Sequence, residues 1–166
     1  QAFNAKVAAS LGFDFKAGRI DTTTHPFCTT LGPRDVRLTT RYEEDDFTSS
    51  LFGVMHEAGH GLYEQGLPAG EFGLPSGEAA SLGIHESQSR LWENQVGRHR
   101  AFWTFVADRF REAFPAAATA GIEELWRAVV LDVGSFDLRG RGRIDAAAEI
   151  DRRLPVEIVV NVLAVR

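Results

Sequence analysis

Apolar positions recur along this chain with two periods, and the period changes where the type of element changes. Phe47, Leu51, Val54, Met55, Ala58 and Leu62 fall three or four residues apart, the spacing that lines one face of an α-helix. The run Glu43-Glu44-Asp45-Asp46 precedes them and offers carboxylates to the unpaired amides of a first helical turn, while Gly66 and Pro68 follow as stop signals. The pattern predicts a helix from about 47 to 65. Upstream, Val36, Leu38, Thr40 and Tyr42 alternate with Arg37, Thr39 and Arg41, which is strand periodicity, and 18–27 is similarly rich in β-formers. With Leu31-Gly32-Pro33 inside 28–34, the simplest arrangement is a short antiparallel pair of strands, 18–27 and 35–42, joined by a loop. Beyond a Gly/Pro-rich loop, a second helix opened by Ser76, with Glu78 in its first turn, is expected to reach about 96. A third covers roughly 99–114 and a fourth 122–130, and residues 1–12 read as the end of a helix. Trp92, Phe102, Trp103, Phe105 and Phe110 at helical spacing read as core. The expected class is mainly α with a small antiparallel β-hairpin or sheet.

Composition narrows the class of molecule. At 166 residues, 44% hydrophobic and 25% charged, the chain has the length and balance of one globular domain. A net charge of −5 with dispersed basic residues argues against nucleic acid as a partner, and no apolar run approaches the ~20 residues of a membrane helix. The single Cys28 excludes an intramolecular disulfide and any zinc site built on cysteines, which fits a reducing, cytoplasmic setting; it reads as a small hydrophobe. The chain starts at Gln1 and stops at Arg166 directly after an apolar run, so it reads as a section of a longer protein.

The chemistry concentrates in His56-Glu57-Ala58-Gly59-His60, a His-Glu-x-x-His sequence inside the helix expected at 47–65. Residues four apart project from one face a turn apart, so two imidazoles converge on one cation. Glu57, about 100° round the helix from His56, avoids direct ligation and is placed to act as a base at the cation's open position. A catalytic zinc takes a third protein ligand, and Glu64, Glu71, Glu78, His85, Glu86 and Glu93 are the downstream candidates. Glu64 shares the face and the helix of the two histidines and would lie in line with them, which cannot close a tetrahedron. Any of the candidates on the next helix could be brought over the metal. Its apolar face is expected to include Ala79, Leu82, Ser89 and Val96 with Glu86 and Glu93 flanking it, which favours Glu86 as ligand and makes His85 a supporting residue. Elsewhere, Arg37 offers a planar cationic fork for a carboxylate or carbonyl, Asp35 on the same strand face could orient it, and His25 before Pro26 could meet a developing oxyanion or shape a pocket.

His25-Pro26-Phe27, Asp35-Val36-Arg37-Leu38-Thr39, the His-Glu-x-x-His segment and His85-Glu86-Ser87-Gln88 together resemble, in order and approximate spacing, the carboxypeptidase Taq (M32) family of metallocarboxypeptidases, over roughly 1–129. The resemblance implies a zincin-like helical core in which the His-Glu-x-x-His helix and a third-ligand helix hold the metal. It implies that His56, His60 and Glu86 are ligands, that Glu57 is the general base, that His25, Asp35 and Arg37 contact substrate, and that His85 and Gln88 support the ligands. The implied cofactor is one divalent ion, zinc first, with cobalt and manganese as alternatives. The implied reaction is release of C-terminal residues from peptides with a free C-terminus, by a cytoplasmic homodimer that engages neither nucleic acid nor membrane. Other readings are a different zinc endopeptidase or oligopeptidase of the same signature, or an inactive metal-binding helical fragment.

From 130 to 166 the resemblance ends. The family's Ile/Val-Arg-x-x-Ala-Asp motif, which supplies an arginine for the substrate carboxylate, and its Gly-x-x-Gln-Asp-x-His-Trp motif are both missing. Arg139-Gly140-Arg141-Gly142-Arg143 suggests a shifted reading frame near Val130, and otherwise a divergent or truncated C-terminal segment that is not a separate domain.

Overall fold

The computed structural model describes residues 1–43 and 46–134, with side chains to residue 129. Glu44 and Asp45 of the acidic run, and most of the divergent 130–166 segment, lie outside the described residues. Contacts divide the chain into two compact units, Gln1–Glu93 and a second beginning at Asn94.

In the first unit the order is α1 (Ala2–Leu11), β1 (Gly18–Thr22), β2 (Phe27–Gly32), β3 (Asp35–Thr40), α2 (Phe47–Gly66) and α3 (Leu82–Arg90). Helix α1 ends at Gly12, whose φ of 113° is a left-handed conformation that closes the last turn; the amides of Gly12 and Phe13 donate to the carbonyls of Ala9 and Ala8. That turn delivers Phe13 to the core, where it packs with Ala8, Val36, Leu38, Val54 and Ala58. Val54 and Ala58 are four residues apart on α2, so this face of the helix lies on the sheet. Asp46 caps α2, its Oδ1 accepting from the Ser49 amide at 3.0 Å and the Thr48 hydroxyl at 2.6 Å. At the other end the Gln65 amide group makes two 2.9 Å hydrogen bonds to the Asp14 backbone, which fixes the helix axis against the α1–β1 connection.

The sheet corrects the expected antiparallel pair. It has three strands in the order β1-β3-β2, with β1 parallel to β3 and β2 antiparallel to β3. The segment expected as a loop is largely strand: Cys28-Thr29-Thr30 extend and pair, and only Pro33-Arg34 turn. Glycine and proline mark where a chain turns, but two β-branched threonines beside them carry the ladder up to that point. A register shift between Thr30 and Gly32 absorbs Leu31, which stands exposed.

The start of the second long helix is also corrected. Pro75–Gly77 forms one 3₁₀ turn, the backbone is extended at Glu78, and the helix is capped by Ser81, whose hydroxyl accepts from the Ile84 amide at 3.1 Å. An extended residue at 78 cannot sit inside a helical turn, so the cap falls five residues later than Ser76. Leu82 is 85% exposed and Ala79 precedes the helix, so the apolar face expected there is absent at those positions, while Ser89 is fully buried. Leu91–Val96 continues as a π-helical stretch. The mainly helical class with a small sheet holds.

The second unit contains α4 (Arg100–Ala113) and α5 (Ile122–Gly134), which pack on each other. Trp92 in the first unit, and Phe102, Trp103 and Phe110 in the second, are buried as expected of core residues, while Phe105 is half-buried under the Arg109 guanidinium, 5.2 Å from its ring centre. Buried indoles need a partner for N–H, and Trp103 and Trp126 donate to the carbonyls of Gly97 and Arg98. Among the described residues no helix is long and apolar enough to cross a membrane.

Candidate metal centre

The site forms where α2 and α3 touch, and one glycine sets how closely they touch. A Cβ at Gly59 would stand 2.6 Å from the Ser89 Cα and 2.7 Å from the Gln88 carbonyl oxygen, so only a residue without a side chain lets the helices approach this far. Gly59 lies between His56 and His60 in sequence, and Ser89 lies three residues after Glu86. The close approach therefore brings the two histidines and Glu86 together.

Glu86 Oε2 lies 3.3 Å from His60 Nε2 and 3.7 Å from His56 Nε2, and donor atoms of the three residues all lie within 4.8 Å of one another. Zinc–nitrogen and zinc–oxygen bonds of about 2.0–2.2 Å in a tetrahedron put neighbouring donors about 3.3–3.5 Å apart. Two imidazoles and one carboxylate at this spacing fit a divalent cation with an open position. The second oxygen, Glu86 Oε1, accepts from Arg90 Nε at 2.9 Å, so Oε2 is the oxygen turned to the histidines. Burial pushes the Glu86 carboxyl up, but the Arg90 hydrogen bond, the neighbouring His56 and the Ser89 hydroxyl together hold it below the usual carboxylate range. It is thus ready as an anionic donor.

The two histidines are supported differently. His56 Nδ1 is 2.9 Å from Glu93 Oε2, a carboxylate bond that fixes the ring with Nε2 outward and keeps the imidazole more basic than usual, against the effect of burial. Arg90 Nη1 holds the same Glu93 oxygen at 3.0 Å. The His60 ring is made less basic by burial and by the nearby imidazoles of His85 and His56. It stacks on His85 with ring centres 4.5 Å apart and planes 16° apart.

Glu57 is buried to 7% exposure, and loss of solvent raises its carboxyl to about 7, with Glu86 and Glu93 adding to the rise and His56 opposing it. A carboxyl that exchanges its proton near neutrality suits general acid–base work.

The other sequence-derived candidates fall as follows. Asp35 and Arg37 form a two-bond fork, Nε to Oδ1 and Nη2 to Oδ2, both 2.8 Å. His25 is exposed on the connection between β1 and β2, where its carbonyl accepts from the Thr23 hydroxyl. None of these three makes a hydrogen bond or ion pair to the histidine cluster among the described residues. His85 reaches His60 through its ring, and Gln88 contributes its backbone carbonyl at the Gly59 contact. Of the alternative third ligands, Glu71 and Glu78 are exposed, Glu64 bonds His85, and Glu93 supports His56. Sequence reasoning placed Glu93 only as a rival ligand and passed over Arg90. The signal was present in the spacing: 86, 90 and 93 repeat at four and three residues, one helical face.

Comparison with known proteins identifies the family of the chain. The family model for carboxypeptidase Taq (M32) metallopeptidase matches residues 1–135. Thermostable carboxypeptidase 1 of Thermus thermophilus is 50% identical over 127 residues, 76% of this chain and 25% of the relative. Carboxypeptidase 1 of Bacillus subtilis is 50% identical over 105 residues, 63% of this chain and 21% of that protein. Among solved structures, the M32 carboxypeptidase from Deinococcus radiodurans R1 superposes with a TM-score of 0.74 at 52% identity, covering 78% of this chain and 26% of that one. The chain thus spans about a quarter of the length of these relatives. With the family's match running through the helix pair that assembles the donors, the chain belongs to the carboxypeptidase Taq (M32) metallopeptidase family.

Proposed function

We propose that this chain is the metal-binding catalytic core of a metallocarboxypeptidase that removes C-terminal residues from peptides, with 130–166 as an appended divergent segment. The observation that carries the reading is the convergence of His56, His60 and Glu86, with Glu57 buried on the same helix as the two histidines. These three residues hold one divalent ion, zinc in the first place, with cobalt or manganese able to substitute. When bound there, the ion supplies Lewis acidity toward a peptide carbonyl. Glu57 takes a proton from the attacking water onto a carboxylate oxygen and delivers it to the leaving amine nitrogen, a transfer suited to a group that titrates near neutrality. Asp35 presents the Arg37 guanidinium to the oxygens of the peptide, and His25 offers an imidazole to the developing oxyanion. The whole protein acts in the cytoplasm as a homodimer on peptides with a free C-terminus.

The test compares wild type with Glu57→Gln on a peptide with a free C-terminus and on its amidated form, with zinc content measured on both proteins. Wild type releases the terminal residue from the free peptide only, and Glu57→Gln retains zinc while release falls by about 10² or more. Equal release by both proteins removes Glu57 from the mechanism. Internal cleavage of the amidated peptide makes the enzyme an endopeptidase.

A further inference from the structure

His60 lacks the support that His56 has. Its Nδ1 is buried and finds no side-chain partner; its polar neighbour is the backbone of His85, at looser than standard hydrogen-bond geometry. A metal-binding imidazole commonly donates its other nitrogen to an acceptor that fixes the ring plane. Here no carboxylate does so, and ring contacts bear on the plane. The His85 ring lies nearly parallel against one face of His60, and the His56 ring meets it edge-on with centres 4.9 Å apart. His85 is itself held: its Nε2 is 2.8 Å from Glu64 Oε1, and the Tyr63 ring meets it edge-on at 5.3 Å. Glu64 is held in turn, its Oε2 accepting from the Thr30 hydroxyl at 2.8 Å. Thr30 belongs to strand β2, which the β3 ladder anchors.

We propose that Glu64 and His85 are positioning residues for the metal site, Glu64 locking the His85 ring so that the ring clamps His60 with Nε2 toward Glu86. Resting on the metal-centre reading above, the inference assigns a task to a carboxylate that neither binds the ion nor meets the substrate. The chain of contacts runs from β2 through α2 to α3, so the sheet sets the angle of a ligand it never touches. Two consequences follow. A flat ring at 85 is what His60 needs, and the hydrogen-bonding nitrogen of His85 matters only for holding that ring. Glu64 acts through His85 alone.

The test uses binding of Co²⁺ and Zn²⁺ to the purified protein, read as affinity and as the visible absorption of the cobalt form, for wild type, Glu64→Ala, His85→Ala, His85→Phe and the pair Glu64→Ala/His85→Phe. His85→Ala and Glu64→Ala are expected to weaken metal binding about 10–100-fold and to shift the cobalt bands, the loss typical of a missing supporting group. His85→Phe, which keeps a ring of similar shape but breaks the bond to Glu64, is expected to fall to about the level of Glu64→Ala and to stay above His85→Ala. Adding Glu64→Ala to His85→Phe costs nothing further, because the bond through which Glu64 acts has already gone. Unchanged affinity and spectrum in His85→Ala, or an undiminished effect of Glu64→Ala in the His85→Phe background, overturns the proposal. Helix content by circular dichroism identifies a variant that fails to fold, and His85→Phe and the double variant then still decide. If wild type binds neither ion, the metal-centre reading fails instead, and the two failures are distinct.

Discussion

Replacing Gly59 by alanine probes the joint on which the site depends. The added Cβ would stand 2.6 Å from the Ser89 Cα, 2.7 Å from the Gln88 carbonyl oxygen and 2.9 Å from the Ser89 amide nitrogen, all backbone atoms that no side-chain rotation can clear. Ordinary carbon contacts begin near 3.5 Å, so α3 must withdraw by about 1 Å. Two terms compete. Alanine is favoured over glycine inside a helix by about 1 kcal/mol, while overpacking a close contact costs about 1–3 kcal/mol. Because the obstacle is backbone, the upper part of that range applies, and the net is a destabilisation of about 1–2 kcal/mol, or a Tm lower by about 2–8 °C. The larger effect falls on the metal. Glu86 rides on α3, and opening a donor spacing of 3.3 Å by about 1 Å takes the set out of a tetrahedron, with a loss of zinc affinity on the order of 10²-fold. The assay pairs a thermal melt with zinc titration and uses Gly53→Ala as control, since a Cβ there makes an ordinary 3.5 Å contact with Thr40 Oγ1 and the melt should rise by a few degrees. If Gly59→Ala also melts higher and binds zinc as wild type does, the helices do not meet at Gly59.

Other expectations are more local. Glu93→Gln removes the anion that fixes His56 and is expected to weaken zinc binding about 10-fold, measured by competition with a chromogenic chelator. Asp46→Ala should cost about 1 kcal/mol of stability in urea unfolding, through loss of the α2 cap. The hydrogen bonds from Thr48 and Ser49 lower the Asp46 pKa, so its contribution is present above its ordinary value of 3.8 and is lost as pH falls through the lower folded value; Asp46→Asn keeps the cap and flattens that part of the acid limb. Burial pushes the Cys28 thiol up to about 12, so a thiol reagent at pH 8 should label the folded protein far more slowly than the unfolded chain.

The reach of the sequence was set by how local each determinant is. The period of α2 and the four-residue spacing of His56 and His60 are properties of one helix, and both stand in the structure. The strand at 27–32 was obscured because Gly32 and Pro33 signal a turn more strongly than two threonines signal a ladder. The parallel partner of β3 was invisible because periodicity reports that a strand exists and says nothing about its neighbour. Glu86 was favoured by its place on α3, although the apolar face used to orient that helix fails at the exposed Leu82. His85 is legible as a supporting residue from its place beside Glu86, but the links from Thr30 through Glu64 to His85 join residues up to 55 positions apart on three elements, and no spacing rule contains them.

The central claim is that α2 and α3 assemble one cation site from His56, His60 and Glu86. Zinc bound per chain at equilibrium, measured on wild type beside Glu86→Ala, tests it most directly. One zinc per chain in wild type, and affinity reduced by several orders of magnitude in Glu86→Ala, is the result this arrangement requires. Equal zinc binding by the two proteins, or none by wild type, contradicts it.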